Sequence, residues 1–123
     1  MKKEELMYGN KLLFLNEVVT FSNISQIRED GIFWIKTIEP KIDSKSFHFK
    51  PIPITEEWLL KFGFFKSQDI DTIFGLKLND FWYINEFQIR NNFNSILLDF
   101  ELKYVHQLQN LYFALTGTHL KLK

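Results

Sequence analysis

The chain has 123 residues, of which 46% are hydrophobic and 17% aromatic. Such a length fits one domain, and this much apolar surface can build a core, so we exclude intrinsic disorder and expect a single domain over residues 1–123. Fifteen basic residues balance fifteen acidic ones, which argues against a strongly basic nucleic-acid-binding arm. There is no cysteine, and its absence excludes disulfides, thiol catalysis and thiolate metal sites.

The N-terminal segment and the hydropathy of the chain predict a cytoplasmic location. Residues 1–19 carry two lysines, then two glutamates and only a short apolar run, a pattern that is not typical of a signal peptide. No stretch of the sequence approaches the roughly 20 consecutive apolar residues of a membrane-spanning helix. We therefore expect a cytoplasmic protein without a membrane partner.

Strand patterns fill the first forty or so residues. Residues 11–15 and 18–24 are rich in β-branched and aromatic side chains, which predicts a hairpin. Because Asn16 is followed by Glu17 and not by glycine, the pattern disfavours a tight two-residue turn with positive φ at both central positions. After a polar turn, residues 32–38 resume as a strand with apolar side chains on both faces. We expect this strand to be central, or to meet a partner with its second face.

The middle of the chain predicts a loop and a short helix. Residues 39–50 weaken the strand pattern, and we expect a mobile loop there. Residues 51–54 must be extended, because each proline fixes its own φ and disfavours helical geometry in the residue before it. Thr55 then caps a short helix over residues 55–62, with two glutamates in its first turn. We interpret these glutamates as helix-start residues and not as a catalytic pair.

The second half of the chain predicts three strands and a longer helix. Residues 72–78, 81–89 and 95–102 form antiparallel strands separated by turn-forming residues. A helix is predicted over residues 104–116, with Gly117 as its stop. Its apolar stripe consists of Val105, Leu108, Tyr112 and Leu115. The predicted fold is α+β, a bent antiparallel sheet or small open β-barrel of about six strands with a short central helix and a C-terminal helix.

The sequence contains no recognisable catalytic or metal-binding motif. The three histidines lack HExxH spacing, and the five glycines stand too far apart for a phosphate-binding loop. His106, at the start of the last helix, is interpreted as a half-exposed structural histidine. We expect no catalytic residue, no metal site and no cofactor, and therefore no enzyme.

The aromatic residues carry most of the functional promise. Exposed aromatic and arginine side chains anchor many protein interfaces. If residues 81–89 form one strand, Trp82 faces away from the core and could be exposed. Trp34 lies on a strand with two apolar faces, so it too could be either exposed or covered. The alternative is that both faces of a small sheet are covered, with Trp82 packed beneath residues 39–50. The predicted partner-binding residues are Trp34, Trp82, Tyr83, Arg90 and Phe93.

Three sequence motifs carry a family resemblance. They are ELMYGNKLLFLNEVV at residues 5–19, PIPITEEWLLKFGF at 51–64 and YVHQLQNLYFALTG at 104–117. Through them the chain resembles a group of uncharacterised small proteins encoded by Bacteroidota and by their phages and prophages. Some small proteins of such phages inhibit CRISPR defence, including the type VI systems. The resemblance implies an accessory protein of this kind, an anti-CRISPR protein being the most concrete form.

Two classes of function follow. The first is a non-enzymatic interaction protein, a phage or prophage accessory factor that binds and inhibits a host-defence component such as a type VI RNA-guided ribonuclease. The alternative is a small β-rich module that stacks RNA or single-stranded bases on exposed rings, with Lys36, Lys77 and Arg90 near the phosphates. Balanced charge favours the protein partner. A mixed-charge rim around an exposed aromatic patch would favour protein, and a basic rim would favour RNA.

Overall fold

The computed structural model describes residues 2–66, 76–77, 82–85, 88–91 and 102–122, and the α+β class is confirmed. The strands are β1 (Lys11–Phe14), β2 (Glu17–Ile27), β3 (Phe33–Glu39), β4 (Asp43–Lys45), β5 (Phe49–Pro51), β6 (Phe65–Lys66), β7 (Leu76–Lys77), β8 (Trp82–Asn85) and β9 (Gln88–Asn91). The α-helices are α1 (Glu56–Lys61) and α2 (Val105–Thr116), and single 3-10 turns lie at Lys3–Glu5 and Ser46–His48.

The chain divides into two compact units. The first unit comprises Met1–Pro53 and Tyr104–His119, and the second comprises Ile54–Lys103 and Leu120–Lys123. The first unit holds β1 to β5 and α2, and the second holds α1 and β6 to β9. The single domain predicted over residues 1–123 stays a prediction.

The first unit is built on a five-stranded antiparallel sheet in the order β4-β3-β2-β1-β5. Strand β2 changes partner along its length, since residues 17–20 pair with β1 and residues 20–27 pair with β3. The β2–β3 register shifts three times beyond Thr20. Such bulges bend a strand and increase its twist, in agreement with the predicted bent sheet. The sheet is open, with β4 and β5 at its edges, and does not close into a barrel.

The turn between β1 and β2 is tighter than predicted. Phe14 lies opposite Glu17, which leaves Leu15 and Asn16 as the two central residues of the turn. Both have positive φ, 48° and 71° respectively. Positive φ at both positions is the feature of type I′ turns, whose twist matches that of the flanking strands. The prediction against a tight turn is therefore wrong, because twist matching outweighs the local strain of a left-handed Leu15.

The core of the first unit is visible in the burial pattern of β3. Phe33, Ile35 and Thr37 are buried, whereas Trp34 is half-buried and Ile38 is exposed. The strand therefore has one core face and one partly open face, although it lies inside the sheet between β2 and β4. The core cluster consists of Leu12, Val19, Phe21, Phe33, Ile35 and Phe49.

Residues 39–50 contain regular structure, so the prediction of a mobile loop is wrong. Strand β4 pairs with β3, and β5 pairs with β1. The three residues of β4, Asp43–Lys45, are all polar or charged, as is common in an edge strand. Their strand character comes from pairing with β3, which no local alternation of side chains could reveal.

Helix α1 of the second unit confirms the predicted cap. The Oγ1 atom of Thr55 accepts a hydrogen bond of 3.3 Å from the backbone N–H of Trp58. Leu59 and Phe62 are buried, and Gly63 follows with a φ of 93° that suits a residue without Cβ. The two glutamates lie in the first turn, as predicted.

The second unit also contains a four-stranded antiparallel sheet in the order β6-β7-β8-β9. The strand predicted over residues 81–89 is wrong, because β8 ends at Asn85 and pairs with β9 from Gln88 onward. Strand-forming residues on both sides of the reversal conceal it in the sequence. Leu102 is buried, and the rest of the strand predicted over residues 95–102 lies outside the described residues.

Helix α2 confirms the C-terminal helix of the prediction. Gly117 follows it in the left-handed conformation, with a φ of 73°, and its N–H donates to the Phe113 carbonyl over 2.8 Å. Val105 and Leu108 of the predicted stripe are buried, and Tyr112 is half-buried. The side chain of Leu115 lies outside the described residues.

A polar side of α2 is also buried, against the N-terminal segment and β1. The Gln109 side chain accepts from the Lys11 N–H over 2.8 Å and donates to the Gly9 carbonyl over 3.0 Å. Asn110 accepts from the Asn10 side-chain amide over 2.8 Å and donates to the Glu5 carbonyl over 2.6 Å. These four hydrogen bonds fix the helix in one register relative to the strand.

His106 lies on the same polar side of α2. It is buried, so the prediction of a half-exposed histidine is wrong. Only 1% of it is exposed, and neither ring nitrogen has a hydrogen bond in the described part of the chain. Its Nε2 lies 3.7 Å from Glu5 Oε2, and its ring stacks on Tyr104 with centroids 5.9 Å apart. Burial lowers the pKa of His106, and the Glu5 carboxylate partly opposes that shift. Residues 106, 109 and 110 share one helix side, a second stripe that a search for apolar residues overlooks.

The buried side chain of Asn10 predicts a measurable loss of stability on substitution. It is 2% exposed, and its Oδ1 accepts from the Met7 N–H over 2.7 Å while its amide donates to Asn110. Asn10→Ala should lower the free energy of unfolding by about 1–3 kcal/mol, because it leaves buried partners unsatisfied. Asn23→Ala, at an exposed position, should stay within about 0.5 kcal/mol of wild type in the same urea titration.

Acid should destabilise the protein through His106. Because its folded-state pKa lies below its ordinary value, the unfolded chain takes up a proton first as the pH falls. The free energy of unfolding should therefore decline below about pH 6.5, by at most about 1.4 kcal/mol per pH unit from this one proton. Urea denaturation across this range measures the decline. His106→Gln should flatten it, and an unchanged slope in the variant would contradict the assignment.

Candidate interaction surface

The predicted partner-binding residues fall in both units. Trp34 lies on β3 of the first unit. Trp82 and Tyr83 lie on β8 and Arg90 on β9, where Tyr83 is the register partner of Arg90. Phe93 and the side chains of the other three residues in the second unit lie outside the described part of the chain. Trp34 is therefore the predicted partner-binding residue whose side chain the structure describes.

Trp34 shares a lysine ammonium with a second aromatic ring. The β3–β4 register places Trp34 opposite Lys45, and Lys45 Nζ lies 5.9 Å from the centroid of the Trp34 ring. The same Nζ lies 5.8 Å from the centroid of the Phe47 ring. Both distances are within the range of cation–π attraction. Lys45 therefore links the half-buried Trp34 to Phe47, which is 64% exposed.

The row of rings continues from Phe47 to the first strand. The Phe47 and His48 rings have centroids 4.2 Å apart, and His48 meets Phe14 of β1 edge-on at 6.0 Å. Phe14 in turn packs on the buried Phe49 at 4.9 Å, which ties the row to the core. We define the aromatic surface as Trp34, Lys45, Phe47, His48 and Phe14.

The charges beside the aromatic surface are of both signs. Lys36 lies two residues after Trp34 on β3, and its register partner is Asp43 of β4. Because alternate and directly opposed residues share a sheet face, Lys36, Lys45 and Asp43 belong to the face of Trp34. Asp43 Oδ1 accepts a hydrogen bond of 2.8 Å from the Ser25 hydroxyl. The charges on this face are therefore mixed, with Lys45 inside the aromatic surface and Lys36 and Asp43 at its rim.

The sequence prediction missed Phe47 and Lys45 because both lie in the segment read as a loop. Phe47 and Phe49 are two residues apart around His48, yet one is exposed and the other is only 4% exposed. The difference comes from the pairing of β5 with β1, which places Phe49 opposite Phe14. The sequence shows a phenylalanine on each side of His48, but this pattern does not indicate which of the two rings faces the core.

A second and smaller aromatic group lies in the first unit and contains none of the residues of the aromatic surface. His119 stacks on Phe113 of α2 with centroids 4.6 Å apart and meets Tyr8 at 6.5 Å. Tyr8 is 60% exposed. It is thus an exposed aromatic residue that shares no ring contact with the aromatic surface and provides a matched control for Phe47.

Within the described ranges, no group of three His, Asp or Glu side chains is placed to hold a metal ion. No helix in that part of the chain is both long and apolar enough to cross a membrane. In comparisons with known proteins, no family model, curated protein or solved structure matches the chain.

The two phenylalanines of the aromatic row predict opposite results in a stability experiment. Phe47→Ala removes an exposed ring and should change the free energy of unfolding by no more than about 0.5 kcal/mol. Phe49→Ala opens a cavity in the core and should cost about 3–5 kcal/mol. Thermal and urea unfolding of both variants test this contrast. A loss of more than 2 kcal/mol in Phe47→Ala, roughly the worth of a buried side chain, would show that Phe47 supports the fold.

Proposed function

We propose that this protein binds another protein through the aromatic surface and catalyses no reaction. The observation that carries the proposal is Phe47, a large ring that is 64% exposed and yet held by contacts with Lys45 and His48. Exposed aromatic side chains anchor protein interfaces when a partner covers them. A ring that is already held loses less side-chain entropy on binding, so these contacts favour association.

The charge around the aromatic surface supports a protein partner over RNA. Tight contact with a nucleic-acid backbone needs several cations that neutralise successive phosphates. Here one aspartate stands beside two lysines on the face of Trp34, and the whole chain has a formal net charge of zero. Asp43 would repel a phosphate that approached Lys36. A mixed rim of this kind suits complementary charges on a protein surface.

The family resemblance supports one class of partner. Small proteins of Bacteroidota phages and prophages act against host defence in some cases, and a phage or prophage accessory factor would meet its target in the cytoplasm. We propose a host-defence component as the partner, with a type VI RNA-guided ribonuclease as the first candidate. Inhibition would follow from occupying a surface that the ribonuclease uses. Trp82, Tyr83, Arg90 and Phe93 stay predicted partner-binding residues of the second unit.

A binding and inhibition assay tests this function. Purified type VI ribonuclease with guide and target RNA should lose cleavage of a reporter RNA when the wild-type protein is added. Phe47→Ala should weaken binding by at least about 2 kcal/mol, roughly thirty-fold in Kd, as expected for a central aromatic anchor. Titration calorimetry measures the affinity. Tyr8→Ala is the matched control and should bind like wild type.

The salt dependence of the same affinity separates protein from RNA as the bound component. A protein contact should weaken only mildly between low and moderate salt, whereas binding through six to ten phosphates falls by roughly three to five decades. If neither the ribonuclease nor any other component captured from a defence-competent host binds in a Phe47-dependent manner, the proposed function is wrong. Binding to guide RNA alone with the steep salt response would favour the nucleic-acid alternative.

A further inference from the structure

We infer that the aromatic surface receives an acidic segment of the partner protein, in which a carboxylate meets Lys45 and a neighbouring apolar side chain covers Phe47. This inference rests on the proposed protein-binding function and specifies its chemistry. It starts from the charge state of the aromatic surface. Lys45 holds its ammonium against two rings, and no carboxylate of the described residues forms an ion pair with it.

A second lysine in the chain shows what a completed contact of this type looks like. Lys61 Nζ lies 5.0 Å from the centroid of the Trp58 ring and 3.3 Å from the Glu57 carboxylate. Its charge is therefore balanced within helix α1. Lys45 lies against two rings, and no carboxylate of the described residues completes its contact as Glu57 completes that of Lys61. A carboxylate is therefore the group that we expect Lys45 to receive.

The acidic residue on the same sheet face does not supply that group. Asp43 is the register partner of Lys36, one pleat away from the Trp34 and Lys45 pair. Its Oδ1 accepts a hydrogen bond from Ser25. Among the described residues Asp43 forms no ion pair with Lys45, so an incoming carboxylate can meet the Lys45 ammonium.

The surroundings of Lys45 favour a carboxylate next to an apolar side chain. Lys45 is half-buried, and its ammonium can donate a charge-assisted hydrogen bond to a carboxylate. Phe47 beside it presents an open ring that a Leu, Phe or Tyr side chain can cover. A covering side chain also excludes water from the ion pair and strengthens it.

A phosphate could neutralise Lys45 as well, but each further nucleotide of an RNA strand brings another negative charge that would meet Asp43. A protein segment with one carboxylate between apolar side chains brings no such further charge and is therefore the occupant that the charges favour. RNA becomes an outcome of the test.

The test uses defined probes and nuclear magnetic resonance of the isotope-labelled full-length protein. The first probe is a synthetic peptide with one Glu flanked by Leu and Phe, the second has Gln in place of that Glu, and the third is single-stranded oligouridylate. Wild-type protein should bind the Glu peptide at least about five-fold more tightly than the Gln peptide, with shifts at the Trp34 indole. Lys45→Gln should abolish that preference. Lys61→Gln, which removes the lysine already paired with Glu57, should keep it.

Each other outcome overturns the inference in a distinguishable way. Equal affinity of wild type for the Glu and Gln peptides, with loss of both in Phe47→Ala, would refute the carboxylate while leaving protein binding intact. Binding of oligouridylate alone would refute both the inference and the proposed function. The absence of any Trp34 shift with millimolar Glu peptide would refute the inference, whereas the ribonuclease assay judges the proposed function separately.

Discussion

The change of partner along β2 is the constraint on which the aromatic surface depends. Its first residues pair with β1 and its later residues pair with β3, so one strand joins the two sides of the five-stranded sheet. Trp34 and Lys45 come from one side, whereas Phe14 comes from the other. The register shifts beyond Thr20 bend the sheet. Residues 46–48 connect the edge strands β4 and β5, so Phe47 contacts Lys45 on one side and His48 contacts Phe14 on the other.

Hydrogen bonds between amide side chains and backbone give the first unit a second constraint. The Gln109 side chain of α2 forms hydrogen bonds with the backbone of Gly9 and Lys11. The neighbouring Asn110 accepts a hydrogen bond from the side chain of Asn10. Buried amides of this kind contribute little net free energy when satisfied, but a shifted register leaves them unsatisfied at a high cost. They therefore specify how the helix lies against the strand. His106 stands at the end of the same side, where burial lowers its pKa, so we expect it to add acid sensitivity where the amides add specificity.

The proposed function rests on a difference in burial between neighbouring phenylalanine rings. Phe49 packs in the core and supports Phe14, whereas Phe47 stays open and is held by Lys45 and His48. Supporting contacts that do not themselves fill the core allow a surface ring to be ordered before a partner arrives. Lys45 serves this purpose and also leaves a positive charge beside the ring. Under the proposed function, the contacts around the Phe47 ring and the charge of Lys45 would select both the shape and the charge of the partner.

Local signals in the sequence determined the elements whose stabilising interactions lie within a few residues. Thr55 caps α1, Gly117 ends α2, and the first hairpin forms where β-branched residues cluster. Strand pairing and packing decided the rest. The polar strand β4 owes its extended form to its pairing with β3, and the reversal between β8 and β9 lies between two strand-forming runs that conceal it. His106 is buried on a helix side that apolar periodicity does not identify. Phe47 illustrates the reason, since a phenylalanine gains free energy in any apolar contact, and the tertiary pairing of β5 with β1 sends Phe49 to the core and leaves Phe47 to the surface.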